Sequence, residues 1–124
     1  MATHDVTAET FNDTVDRDGI VILDFWAPWC GPCKSFGPVF QAASEKHADI
    51  VFAKINTEEE QALAGHFGIR SIPTLMVLRD RIMVFNQAGA LSGTQFEQLI
   101  SAVRELDMDK IRADLADLAE QDAS

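Results

Sequence analysis

The chain has 124 residues, 47% of them hydrophobic, which is enough for one buried core but too few for two ordinary domains. Its formal net charge of −10 excludes the basic surface that nucleic-acid binding requires, so we expect protein partners and no nucleic acid. Residues 1–13 carry no basic flank and no apolar run of signal-peptide length, and no segment approaches the ~20 apolar residues of a membrane span. These features predict a cytoplasmic protein that does not enter a membrane.

Strand and helix patterns alternate along the chain. Thr7 is placed to cap a short helix that ends at Asp18-Gly19. Residues 20–26 are apolar on both alternating faces, which is typical of a central strand covered by helices on both sides. A helix follows over about residues 33–47, and Pro38 should kink it.

The second half of the chain continues the alternation. Its predicted elements are a strand over residues 50–55, a helix over about 58–67, two strands over 74–78 and 82–86, and a helix over about 95–106. The helix at 58–67 opens with three glutamates, which the helix dipole favours at that end, and a solvated helix start is enough to explain them. The order of elements predicts an α/β protein with a mixed sheet and helices on both faces.

The only two cysteines, Cys30 and Cys33, lie two residues apart where the first strand pattern gives way to a helix. Two thiols with this spacing can close a small disulfide ring, and a helix N-terminus lowers the pKa of the first thiol, which makes Cys30 the expected nucleophile. Zinc is the main alternative, but the chain has no further cysteines and its three histidines are scattered. We therefore expect redox chemistry and no metal.

Asp24 is the charged residue of the central strand pattern. It shares a face with Ile20, Ile22 and Trp26, so it should be buried, and burial without a partner raises the pKa of a carboxyl group. A carboxyl with a raised pKa suits proton transfer. The alternative is that Asp24 lies near solvent at the end of its strand.

The last part of the chain differs in composition from the rest. Residues 105–124 hold seven acids and two bases, which is half of the net charge. An apolar stripe at helical spacing runs through Met108, Ile111, Leu115 and Leu118. We therefore divide the chain into a domain over residues 1–106 and an acidic amphipathic helical extension over 107–124. An isolated helix of this length is marginal in water, so the stripe should cover its own domain or a second copy rather than a dedicated partner, unless the tail is frayed.

Four segments of the chain resemble the thioredoxin family in order and spacing. They are Asp24-Phe25-Trp26-Ala27-Pro28-Trp29-Cys30-Gly31-Pro32-Cys33-Lys34, Phe52-Ala53-Lys54-Ile55-Asn56, Gly68-Ile69-Arg70-Ser71-Ile72-Pro73-Thr74 and Gly89-Ala90-Leu91. Asn56-Thr57-Glu58 and Arg70-Ser71-Ile72-Pro73-Thr74 are similar to the bacterial thioredoxin subtype that carries an N-terminal zinc ribbon, although this chain has no ribbon. It departs from the family pattern in a hairpin turn without glycine and in the acidic extension.

The resemblance implies a thioredoxin fold, with a central mixed sheet of five (or four) strands flanked by four helices. It also implies a protein-disulfide reductase with no bound cofactor, only the redox-active disulfide Cys30–Cys33. In this reading Cys30 attacks a disulfide of a protein substrate, Cys33 resolves the mixed disulfide, and thioredoxin reductase recharges the pair. Cys33 should be the more buried of the two, and the protein should be a monomer or a weak dimer.

The resemblance also assigns roles to residues outside the cysteine pair. Asp24 would lie behind Cys33 and transfer protons, with Lys54 as its neighbour. Pro73 would form a cis peptide bond beside the cysteines. The residues that would border an apolar substrate groove are Trp29, Gly31, Pro32, Ile72, Pro73, Gly89 and Ala90. The competing interpretation is a binding module in which the dithiol is incidental.

Overall fold

The structure is a computed structural model that describes residues 2–123. Its strands are β1 (Thr3–Asp5), β2 (Ile20–Trp26), β3 (Val51–Asn56), β4 (Thr74–Arg79) and β5 (Ile82–Ala88). Its helices are α1 (Ala8–Val15), α2 (Gly31–Lys46), α3 (Gln61–His66), α4 (Gly93–Arg104) and α5 (Met108–Ala123).

The five strands form one mixed sheet in the order β1-β3-β2-β4-β5. Strands β1 and β2 both run parallel to β3, while β4 is antiparallel to its neighbours β2 and β5. Every residue of β2 except Trp26 is buried, as expected for a central strand whose two faces are both apolar. The sequence-based expectation of a mixed sheet, in its five-strand form, is confirmed.

Alternation along β2 divides the core into two clusters. Ile20 and Ile22 belong to a cluster with residues of α2 and α4, in which the rings of Phe36 and Phe96 lie 5.3 Å apart. Val21, Leu23 and Phe25 belong to the other, which the partly buried side chains of α1 and α3 cover. The sheet is therefore held between helices on both faces, and the cysteine pair follows directly from its central strand.

Strand β1 was not predicted from the sequence. Its three residues, Thr3, His4 and Asp5, are polar and at most half-buried, so they carry no apolar alternation. They form an edge strand only because β3 offers backbone groups to pair with, in the register Thr3 with Phe52.

The prediction that the helix begins at residue 58 is wrong, because α3 begins at Gln61. Asn56 Oδ1 accepts a hydrogen bond from Glu58 N at 3.0 Å, which closes a turn after β3 instead of a helical turn. Glu60 Oε1 accepts a hydrogen bond from Ala8 N at 2.8 Å and so satisfies a donor at the start of α1. The glutamates are therefore more than a solvated helix start.

The β4–β5 hairpin turns through Asp80 and Arg81, both with positive φ, at 51° and 71°. This left-handed backbone is the conformation for which glycine is usual, and here side-chain contacts hold it. Asp80 Oδ1 accepts a hydrogen bond from Gly19 N at 2.8 Å, and Arg81 forms ion pairs with Asp16 and Asp18.

The end of α4 is fixed by Arg79, the last residue of β4. Its Nη1 atom donates to the carbonyl oxygens of Val103, Arg104 and Leu106 at 2.7, 3.1 and 2.9 Å. The carbonyls at a helix end lack the usual partner four residues on, and Val103 O is shared with Leu106 N at 3.3 Å, so the guanidinium adds a charged donor there and complements the helix dipole. The chain then turns, and Asp107 Oδ1 accepts from Lys110 N at 3.1 Å at the start of α5.

We expect Arg79→Met to lower the free energy of unfolding by about 2 kcal/mol, because it removes a charged donor from three carbonyl groups. The control is Arg81→Met in the same hairpin, which should cost much less because its ion pairs are exposed to solvent. Urea unfolding of both variants measures the difference. Equal losses would contradict this account of the α4 end.

Candidate functional site

Cys30 and Cys33 form a disulfide at the N-terminus of α2, with their Cα atoms 5.2 Å apart. The helix begins at Gly31, two residues earlier than predicted, and Cys30 is its N-cap. The amide of Cys33 donates to Cys30 Sγ at 3.2 Å, and Pro32 occupies the first turn, where a missing N–H costs nothing. The helix N-terminus is thus directed at the Cys30 sulfur, which favours a thiolate there in the reduced protein.

The prediction that Cys33 is more buried than Cys30 is wrong. The exposed fractions are 4% for Cys30 and 6% for Cys33. The two cysteines form one buried cluster with Ala27, and Trp26 and Ile72 pack against that cluster. The two residues are therefore similarly buried, and their positions on the helix are what the structure shows to differ.

The loop before β4 lies beside the disulfide. Its Ile72–Pro73 peptide bond is cis, as the resemblance implied, and Ile72 O is 3.6 Å from Cys30 Sγ. Gly89 N donates to Pro73 O at 2.8 Å, which ties the end of β5 to the same loop. Gly89 has a φ of +115°, a conformation that residues with side chains rarely adopt.

The predicted groove residues differ in how closely the structure connects them to the disulfide. Trp29 precedes Cys30 and is 66% exposed. Gly31 and Pro32 lie between the cysteines and are exposed, and Ala90 follows Gly89 and is exposed. Ile72 is half-buried and Gly89 is exposed, while Pro73, which was also predicted to border the groove, is buried.

Glu58 is a site residue that the sequence analysis missed. Its Oε1 atom accepts a hydrogen bond from the indole Nε1 of Trp29, which fixes the direction of that exposed ring. The two residues are 29 positions apart in the sequence. The sequence could have indicated this contact, because Trp29 follows the carboxyl end of β2 and Glu58 follows the carboxyl end of β3. These strands are parallel neighbours, so the two residues lie at the same edge of the sheet.

Asp24 is buried, with 1% of its surface exposed, as the strand pattern predicted. Burial raises the pKa of Asp24 to about 7, while the positive charge of Lys54 acts to lower it. The Oδ1 atom of Asp24 makes no hydrogen bond with any residue in the described range. A carboxyl in this state can take up or release a proton near neutral pH.

Lys54 pairs with Asp24 in the β2–β3 register, and its side chain contacts Trp26. Its Nζ atom lies 4.7 Å from the centroid of the Trp26 ring, and Trp26 packs against the cluster formed by Ala27 and the two cysteines. Trp26 is half-buried, and its indole Nε1 is buried without a hydrogen-bond partner in the described part of the chain. The aspartate, the lysine and the tryptophan therefore form one connected group at the carboxyl end of β2.

Among residues 2–121, whose side chains the structure describes, no group of three or more His, Cys, Asp or Glu is placed to hold a metal ion. Within the same range no helix has the length and apolarity needed to cross a membrane.

Comparison with known proteins identifies this arrangement. The sequence model of the Thioredoxin family matches residues 2–102. The chain belongs to the thioredoxin family. "Putative thioredoxin 2" of Streptomyces coelicolor is 47% identical over 116 residues, which cover 94% of this chain and 87% of that protein. That match therefore continues past residue 106 into the acidic extension.

Two further relatives agree with the assignment. The thioredoxin of Haemophilus influenzae is 43% identical over 88 residues, covering 70% of this chain and 82% of that protein. The solved structure of a mutant thioredoxin from Halobacterium salinarum superposes with a TM-score of 0.77 at 34% identity, covering 84% of this chain and 92% of that one. With the Cys30–Cys33 disulfide in place, the chain is a protein-disulfide reductase of the thioredoxin type that works by dithiol–disulfide exchange.

Proposed function

We propose that Cys30 is the attacking thiol and Cys33 the resolving thiol. The Cys30 thiolate attacks one sulfur of a substrate disulfide, whose S–S bond breaks as a mixed disulfide forms and one substrate thiolate leaves. The Cys33 thiolate then attacks Cys30 Sγ, releases the second substrate thiolate and leaves the Cys30–Cys33 disulfide. Two electrons pass to the substrate. The observation that carries this order is the position of Cys30 as N-cap of α2, with the Cys33 amide donating to its sulfur.

Asp24 acts as the proton acceptor for the resolving step. Cys33 needs to lose its proton before it attacks, and a buried carboxyl with a pKa of about 7 is divided between its two protonation states at neutral pH. Lys54, paired with Asp24 in the adjacent strand, limits how far that pKa rises.

Substrate binds as an extended segment beside the Ile72–Pro73 bond. The backbone of Ile72 is next to Cys30 Sγ and offers hydrogen-bonding groups to a neighbouring chain. Trp29, held by Glu58, supplies an apolar wall on one side of the cysteines. Gly31, Pro32, Gly89 and Ala90 are exposed and small or compact, and they would contact the backbone of the bound segment.

Thioredoxin reductase recharges the disulfide with electrons from NADPH, and the protein acts in the cytoplasm on disulfide-containing proteins without a bound cofactor. The family membership and the cytoplasmic setting of dithiol reductants support this assignment. The alternative is a binding module with an incidental dithiol. It does not explain why Asp24 is buried or why the backbone of Ile72 lies beside Cys30.

Reduction of insulin tests this function. With dithiothreitol as electron source, the chain should accelerate insulin precipitation well beyond dithiothreitol alone. With bacterial thioredoxin reductase and NADPH instead, NADPH should be consumed only when chain, reductase and insulin are all present. A chain that folds but fails with dithiothreitol is a binding module. A chain that works with dithiothreitol but not with the reductase has a different electron donor.

A further inference from the structure

The contacts that the structure describes between helix α5 and the domain lie at the start of the helix, between Met108 and Arg112. Met108 is buried and Ile111 is half-buried, and Arg112 Nη2 reaches Asp80 Oδ2 at 3.1 Å. From Arg112 to Gln121 every residue is exposed. The domain therefore covers the start of the stripe, and whether a second copy covers the rest stays a prediction.

The uncovered part carries two large apolar side chains. Leu115 is 45% exposed and Leu118 is 55% exposed, and they lie on one face because they are three residues apart. They are two of the four large hydrophobic residues that the described part of the chain exposes, and Trp29 at the redox site is another. A helix of this size is marginal in water unless such a face is covered.

Charge decides what can cover this face. Beyond Arg112 the extension has four acids, Asp114, Asp117, Glu120 and Asp122, and no base. Asp114 lies one helical turn before Leu118 and borders the leucine face directly. A second copy would bring the same acidic segment, on a chain of net charge −10, against this one. A basic surface with an apolar centre would instead be attracted to it and would bury both leucines.

We propose that residues 113–121 of α5 dock a basic amphipathic helix of a partner protein. Leucine faces pair helix to helix when each presents apolar residues at spacings of three and four, and the acids here select a partner helix rich in Lys or Arg. Arg79 holds the carbonyl of Leu106 just before α5, and it lies at the hairpin end of β4, where it pairs with Ile20. Thr74, at the other end of β4, pairs with Phe25 near the cysteines. Helix α5 therefore starts at the hairpin end of the sheet. The two ends are roughly 20 Å apart along β2, so the anchor of α5 leaves the redox centre open to substrate.

The proposal can be tested with a synthetic probe of stated chemistry. The probe is a fluorescently labelled peptide of Leu and Lys, about two heptads long, with its leucines on one helical face. We expect the full-length protein to bind it, as measured by fluorescence anisotropy, and to bind it more weakly as salt is raised. A peptide with the same residues in scrambled order, and therefore no apolar face, should bind at least about tenfold more weakly.

Three variants separate the sources of binding. Leu115→Gln/Leu118→Gln keeps good helix formers and should weaken binding by about tenfold or more. Asp114→Asn/Asp117→Asn should weaken it severalfold at low salt and have little effect at high salt. Met83→Gln changes an exposed apolar residue of β5 and should leave binding unchanged, and circular dichroism checks that each variant is folded.

Equal binding of both peptides, or a double-leucine variant that binds like the parent, would overturn the proposal. Sedimentation equilibrium covers the second-copy alternative. A dimer that Leu115→Gln/Leu118→Gln disrupts would show that the face pairs with itself and not with a basic partner. A monomer at the concentrations of the binding experiment supports the proposal.

Discussion

Cys33→Ser is expected to trap a mixed disulfide between Cys30 and a substrate, because the attacking thiol remains while the thiol that would release the substrate is gone. The amide of residue 33 still donates to the Cys30 sulfur in this variant, and the helix N-terminus still favours its thiolate. Non-reducing gels with insulin should show the adduct, and turnover should fall to the background rate.

Cys30→Ser is the matched control. It keeps one thiol at the same site, with nearly the same burial, but places that thiol inside the helix instead of at its cap. We expect no adduct from it. Alkylation of the reduced parent protein at pH 6, followed by mass spectrometry, reports the same order directly. If the label is found first on Cys33, the assignment of the attacking thiol is wrong.

The sequence predicted those parts of the fold in which a short stretch of residues is compatible with a single structure. Residues 20–26 are apolar on both faces, and β2 is indeed the central strand. Asp24 interrupts that pattern, so its burial could be expected before its surroundings were known. The Cys-Gly-Pro-Cys segment predicted a helix start, although the structure begins the helix at Gly31.

The parts that the sequence did not predict depend on residues far apart in the chain. Strand β1 exists only because β3 lies beside it, and the helix start expected at residue 58 gives way to a turn that Asn56 closes. The bond between Trp29 and Glu58 joins the ends of two strands. The burial of the cysteine pair also depends on a distant loop, since Ile72 packs against the cluster that holds both cysteines. None of these contacts leaves a periodic signal.

The acidic extension lies between these two cases. Apolar spacing from Met108 to Leu118 correctly predicted a helix. The same spacing could not show how much of the stripe the domain covers, because that depends on where Arg79 and Asp80 hold the chain after α4. The start of the helix, from Met108 to Arg112, contacts the domain, and Leu115 and Leu118 beyond it are exposed.

Asp24→Asn is expected to stabilise the fold at pH 7 by up to about 4 kcal/mol. The native pKa of Asp24 is about 7 against an ordinary value of 3.8, so at neutral pH the unfolded chain ionises this group more fully than the native state does. Stability of the parent therefore falls as pH rises from about 4 to 7. The asparagine variant lacks this loss, and its advantage should shrink to almost nothing near pH 4. Urea unfolding across that range measures both curves.

Asp49→Asn is a control with the opposite sign. The hydrogen bonds from Arg104 hold the pKa of Asp49 at about 2, so its contribution to stability is present above pH 4 and is lost as pH falls toward 2. Because Asp49 is exposed, the asparagine variant should lose only a little stability at pH 7. The opposite pH trends of the two variants would show that burial, and not the loss of a carboxylate in general, sets the behaviour of Asp24.

The same Asp24→Asn variant should reduce insulin more slowly, by about tenfold or more at neutral pH, if Asp24 accepts the Cys33 proton. The slowing should be in release from the mixed disulfide and not in the attack by Cys30, so single-turnover kinetics would show the mixed disulfide accumulating. Greater stability together with slower release is the combination that a buried proton acceptor requires. A variant that is less stable at pH 7 would mean that Asp24 is a satisfied carboxylate, and normal release kinetics would remove its proposed role in the reaction.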